Sequence, residues 1–105
     1  MIGASPLVSS WFHDEPAIEA GNELGFDAGT LGNHEFDEGG DELIRMLRGG
    51  RRTGPEALKH DEGGQLVKAS SPDYAGAAYP YIAANTIDRE RELSLPPYTV
   101  IERAG

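Results

Sequence analysis

The chain has 105 residues, 38% of them hydrophobic, with fourteen glycines and seven prolines, a loop-rich globular composition with room for at most one domain. Eighteen acidic residues against nine basic ones give a formal net charge of −9, so the field of the molecule repels nucleic acid and anionic membrane. The absence of cysteine excludes thiolate metal sites, disulfides and a thiol nucleophile, and any metal must use nitrogen and oxygen ligands.

Trp11 and Phe12 read as core or interface anchors, whose exposure would promote self-association. Asp14 is placed as an N-cap, with Pro16 in the first turn, where its missing N–H costs nothing. Ala17, Ala20, Gly21 and Leu24 follow at helical spacing, and Gly25 supplies the stop. Gly21 is out of place on that face unless it permits a close backbone approach. Residues 26–31 predict a short strand. Residues 41–48 predict a helix carrying Leu43, Ile44, Met46 and Leu47, with Asp37, Glu38, Asp41 and Glu42 at its positive N-terminal end and Gly49 and Gly50 after it.

The stretch from about 50 to 78 is polar and punctuated, and reads as a variable surface loop with a brief helix around residues 55–60. Residues 81–85 and 98–102 predict two further short strands. Alternating strands and helices point to an α/β layered architecture in a single domain spanning 1–105. No apolar run approaches the roughly 18 residues of a membrane span, and Met1 is followed by no basic and apolar leader, so neither a membrane anchor nor a signal peptide is read.

The chemistry concentrates in Gly32-Asn33-His34-Glu35-Phe36-Asp37, on the loop between the predicted strand and helix, where α/β folds bind ligands. An amide oxygen, an imidazole and two carboxylates suit a hard or borderline divalent ion or a phosphate. A zinc-protease helix would need a second histidine where Glu38 stands. The glycines lack dinucleotide-fingerprint spacing, and no Gly-Lys-Ser/Thr makes a Walker loop. The plain alternative for Asn33 and His34 is a structural turn, and for Asp37 a helix-start carboxylate. His13 and His60 read as surface residues without a metal role, and Arg51-Arg52 as a solvated charge pair. Asn85 either lines the site or caps a strand end.

The block Gly32-Asn33-His34-Glu35, extended to Phe36-Asp37, together with Gly25-Phe26-Asp27 and Tyr81-Ile82-Ala83-Ala84-Asn85, resembles the calcineurin-like metallophosphoesterase family, in particular its 5′-nucleotidase branch. The resemblance implies a layered α/β metallophosphoesterase domain that hydrolyses nucleoside 5′-monophosphates with two divalent ions such as Zn, Mn or Mg. In that reading Asn33 is a metal ligand, His34 contacts the substrate phosphate, Asp37 pairs with that histidine, and Glu35 supports the loop from behind. The substrate is then a nucleotide or other phosphate monoester, with no nucleic-acid or membrane partner, in a family often exported, periplasmic or at the cell surface. The family's Asp-x-His, Gly-Asp and Gly-His-x-His blocks have no counterpart here. The chain is therefore expected to be a fragment of the catalytic domain, with Met1 an internal methionine and little or no activity alone. The alternative is a non-catalytic remnant that binds metal or phosphate weakly or depends on a partner.

Overall fold

The computed structural model describes residues 2–55, 57–89 and 93–104, and Met1 lies outside them. After Pro6 a single turn of helix, α1 (Leu7–Ser10), buries none of its residues. His13 and Asp14 follow with φ of 54° and 61°, and this consecutive left-handed pair turns the chain sharply into α2 (Glu15–Glu23). Pro16 occupies the first turn as its fixed φ favours, but Asp14 makes no side-chain cap because its carboxylate is used elsewhere. The buried face of α2 is Glu15, Ile18 and Gly21. Leu24, expected on that face, is exposed, because it sits at the C-cap beyond the last turn and Gly25, at φ +68°, redirects the chain.

Strand β1 (Gly29–Thr30) leads through a single 3₁₀ turn (His34–Phe36) into α3 (Gly40–Arg48). The chain returns to β4 (Tyr81–Ile82), which pairs in parallel with β1 in the register Gly29↔Tyr81 and Thr30↔Ile82. A parallel pair needs such a crossover, and α3 supplies its helix. Leu43 and Met46 point from α3 into the core, where they meet Ile2, Ile18, Tyr74, Tyr79 and Tyr81. The Tyr79 ring packs 5.5 Å from Tyr81 and 5.6 Å from Phe26. The architecture is mixed α/β, with three two-stranded sheets among the described residues.

A buried polar junction ties the helices together. Glu15 accepts hydrogen bonds through Oε1 from Arg45 at 2.8 Å and from the Ser70 hydroxyl at 2.6 Å, and through Oε2 from the Ser71 N–H at 2.7 Å. Arg45 also donates to both Glu42 oxygens and to the Gly50 carbonyl, and lies 5.1 Å from the centre of the Tyr74 ring. Charges this deep persist only when paired and hydrogen-bonded on this scale.

The 50–78 region departs from its reading as a polar loop. Where a brief helix was expected around 55–60, β2 (Leu58–His60) pairs antiparallel with β3 (Leu66–Ala69). Asp61 sets the hairpin: its Oδ1 accepts the N–H groups of Gly63 and Gln65, both at 2.9 Å, and Gly64 takes φ +79°. Residues 70–77 are no surface loop either. Tyr74 is buried and donates to the Met46 carbonyl at 2.7 Å, and Ala77 N–H reaches the Leu47 carbonyl. Burial pushes the Tyr74 hydroxyl well above its usual range.

The expected strand at 98–102 does not form. Tyr98 and Val100 are exposed, and with neither face covered, β-branched residues alone do not hold a strand. A hairpin of β5 (Ile87–Asp88) and β6 (Leu93–Ser94) precedes it. Trp11 and Phe12 are not core residues, being 44% and 43% exposed. Among the described residues no helix is long and apolar enough to cross a membrane.

Candidate functional site

The turn at 32–37 lies where β1 ends, on the side from which residues 83–85 also leave β4. Leu31 packs against the core, and the backbone then folds back on itself. Phe36 N–H bonds the Asn33 carbonyl at 3.3 Å, Asp37 N–H bonds the His34 carbonyl at 3.1 Å, and Gly39 N–H bonds the Phe36 carbonyl at 3.0 Å. In a 3₁₀ turn, side chains three apart eclipse, which places the carboxylate of Asp37 over His34. The separation of His34 Nδ1 and Asp37 Oδ2 is 2.9 Å, and both side chains are about half exposed, 53% and 48%.

Two buried carboxylates hold this turn from beneath. Glu35 is 8% exposed, its Oε2 accepting the Gly32 N–H at 2.7 Å and its Oε1 the Ile2 N–H at 3.4 Å. Burial alone would raise this carboxyl, but these two N–H groups are among the donors that hold it below the usual carboxylate range. Asp14 is 5% exposed and accepts the Gly3 N–H at 2.8 Å and the Ser5 hydroxyl. Residues 2–5 are thereby drawn against the turn so closely that a Cβ on Gly3 would stand 2.2 Å from the His34 carbonyl oxygen.

Of the residues singled out in the sequence, His34 and Asp37 are brought together. Glu35 lies beneath them, accepting the Gly32 and Ile2 N–H groups. Asn33 is exposed and makes no side-chain cap. Asn85 is exposed near the end of β4, its Oδ1 3.5 Å from the Thr86 hydroxyl. The supports Asp14, Gly3 and Ser5 went unread. Their one signal is a glycine and a serine two apart at the start of the chain, with an aspartate a few residues on.

His13 is not a surface residue: it is 5% exposed, and its Nδ1 lies 2.8 Å from Arg52 Nη1. Nor is Arg52 a solvated charge, since its guanidinium also donates to Glu38 at 2.7 Å and lies 3.3 Å from Glu42. Burial pushes the His13 imidazole below its usual range, and Arg52 and Lys68 add to the effect against a smaller pull from Glu42 and Glu38. His60 is exposed, at the end of β2 rather than in a loop.

Among the described residues no three histidine, aspartate or glutamate side chains gather as a metal ion would require. The described residues of the turn by themselves offer no such set, and no chemical step is routed through a metal. The turn does offer an accessible imidazole oriented through Nδ1 by a carboxylate, with Nε2 left to face a ligand.

Over its whole length the chain is 42% identical to Endonuclease YhcR of Bacillus subtilis (strain 168), of which it covers 8%. It is 41% identical, over 81% of its length, to an uncharacterized protein in the pqq-V 5′ region of Acinetobacter calcoaceticus, covering 38% of that protein. It is also 53% identical, over 47% of its length, to Cell wall protein Lmo0130 of Listeria monocytogenes serovar 1/2a, covering 6% of it. The chain thus spans well under two thirds of each of these relatives. No protein-family model matches it. No solved structure matches it. These findings overturn the resemblance to the 5′-nucleotidase branch of the metallophosphoesterases: none of the three relatives bears such a name and no model of that family matches. A short polar block around a histidine is a local signal, and the full-length comparison leads elsewhere.

Proposed function

We propose that the chain forms part of the active-site wall of a phosphoester hydrolase, with His34 contacting the phosphate and Asp37 orienting it. The observation that carries the reading is the accessible His34–Asp37 pair at 2.9 Å on the turn after β1. With Nδ1–H directed at Asp37, Nε2 is the nitrogen available to a phosphate oxygen. When the ring is charged, Asp37 is its counterion and the imidazolium opposes the negative charge that develops on phosphate in the transition state. The endonuclease name of the Bacillus relative supports a hydrolase acting on phosphoester bonds. A polynucleotide would have to be held mainly by other parts of a longer protein, because a net charge of −9 disfavours it here. Asn33 remains the one ligand the turn would lend to a divalent ion. The cell-wall name of the Listeria relative supports a location at the cell surface, which fractionation of producing cells would check.

The test is hydrolysis of p-nitrophenyl phosphate, bis-p-nitrophenyl phosphate and AMP, with Mn²⁺, Zn²⁺ or Mg²⁺ added. It is run on this chain and on a longer protein containing it, each with and without His34→Ala. With no gathered metal-binding set among the described residues, activity is expected in the longer protein rather than in this chain alone. There His34→Ala should lower turnover by about 10²–10³-fold. Undiminished turnover in that variant would refute the reading, and the substrate cleaved separates monoester from diester chemistry.

A further inference from the structure

The polar groups between the α1–α2 corner and the 50–70 arm form a cluster that the proposed chemistry does not use. His13 lies at its centre. Arginine can only donate, so the 2.8 Å contact from Arg52 Nη1 requires a lone pair on His13 Nδ1, which makes the ring neutral with its proton on Nε2. That Nε2 is buried and has no hydrogen-bond partner. The groups facing the ring come from every element around it: Arg52 from the arm, Lys68 from β3, Glu42 from α3 and Glu38 from the turn after Phe36. Ser10, Asp14 and Asp37 line the same cavity of about 160 Å³.

The arm meets the body through Ala69 N–H on the Trp11 carbonyl at 2.7 Å, Lys68 on Glu38 at 3.2 Å, Arg52 on Glu38 at 2.7 Å and, at its end, the Ser70 hydroxyl on Glu15 at 2.6 Å. The corner it docks on carries two consecutive non-glycine residues in left-handed conformation, a strained arrangement that surrounding contacts must maintain.

We propose that His13 is a proton-operated latch that holds the 50–70 arm on the α1–α2 corner at neutral pH and releases it in mild acid. A proton on Nδ1 removes the only acceptor Arg52 has on the ring and sets two cations face to face. Arg52 and Lys68 then leave together, while Ile18, Leu43, Met46 and the three buried tyrosines keep the core intact. Lysine and arginine are thereby withdrawn from Glu38, the neighbour of Asp37.

The chain's single tryptophan, Trp11, borders the docked arm beside Leu66, Lys68 and Ala69 and reports the release. Its emission should shift to the red as pH falls from 7.5 to 5, with a midpoint below 6.5. The Ala69 amide protection factor, corrected for intrinsic exchange, should drop by about tenfold or more. His13→Asn tolerates the left-handed backbone and puts an oxygen acceptor where Nδ1 stood, so it should remain docked across this range. Circular dichroism at pH 7.5 confirms that it is folded. Lys68→Gln removes one opposing cation and should move the wild-type midpoint upward. An unchanged transition in His13→Asn, or an unmoved midpoint in Lys68→Gln, would overturn the latch.

Discussion

Gly21→Ala sets two effects of known size against each other. Alanine in a helix is favoured over glycine by about 1 kcal/mol, so sequence reasoning alone makes this a stabilising change. The structure reverses the sign. A Cβ at Gly21 would stand 2.7 Å from Tyr79 Oη, 3.0 Å from Cε1 and 3.1 Å from Cζ, all inside the ~3.5 Å at which such atoms pack. Tyr79 has little room to retreat, being 5% exposed, flanked by Phe26 and Tyr81, and close to Gly29 as well. Overpacking of this kind costs about 1–3 kcal/mol.

The net expectation is destabilisation by about 1 kcal/mol, which lowers a urea midpoint by about 0.5 M and the melting temperature by about 5 °C. Urea unfolding followed by circular dichroism measures it. Ala20→Gly, one residue away on the exposed side of α2, should lose about 1 kcal/mol through propensity alone. Tyr79→Phe deletes the closest atom and should recover part of the Gly21→Ala loss. A Gly21→Ala midpoint at or above wild type would refute the close approach of α2 to Tyr79.

Glu15→Ala leaves Arg45 without one of its acceptors and strands the Ser70 hydroxyl and Ser71 N–H, so a loss of about 3 kcal/mol is expected in the same urea experiment. Gly3→Ala forces φ +92° on a residue with a Cβ and drives that carbon into the His34 carbonyl. The amide resonances of 32–37 should shift while those of the second half of α3 stay in place. Stability should hold above about pH 6.5 and fall below it, because the unfolded chain protonates His13 more readily than the fold does; the loss ends once pH passes below the folded pKa. In His13→Asn, where the arm stays docked, a decline is expected instead below about pH 4.5 from Glu38, whose carboxyl is held low by hydrogen bonds from Arg52 and Lys68 that outweigh its burial. Stability curves for wild type and His13→Asn distinguish the two stages.

Helix α3 was legible because its pattern is local: apolar residues at helical spacing, acids at one end and glycines at the other. The centres of β1 and β4 were legible for the same reason, but their extent was not. A two-residue parallel ladder is set by where Tyr81 meets Gly29, 52 positions away. The β2–β3 hairpin was hidden because Leu58-Lys59-His60 and Leu66-Val67-Lys68-Ala69 carry no sustained apolar alternation, although Asp61 and Gly64 are ordinary turn residues. Tyr74 was misplaced with its polar neighbours. Its burial comes from a hydrogen bond to Met46 and from Arg45, neither of which short-range composition can show. At the site, the His34–Asp37 pair follows from three-residue spacing within one turn. The clamp from Asp14 through Gly3 joins segments that are distant in sequence.

That division bears on how the chemistry can be tested. The backbone of the turn is fixed by Glu35 and Asp14, both buried, through N–H groups of Gly32, Ile2 and Gly3. The side chains of His34 and Asp37 are half exposed and, among the described residues, are held by their mutual contact. Exposed pairs of this kind contribute about 0–1 kcal/mol, whereas an unpaired buried donor costs about 1–3 kcal/mol. His34→Ala and Asp37→Asn should therefore leave the fold nearly as stable as wild type, while Glu35→Ala should not. A loss of phosphoester hydrolysis in the first two variants would then reflect the imidazole and its carboxylate, and the same loss in the third would reflect the platform beneath them.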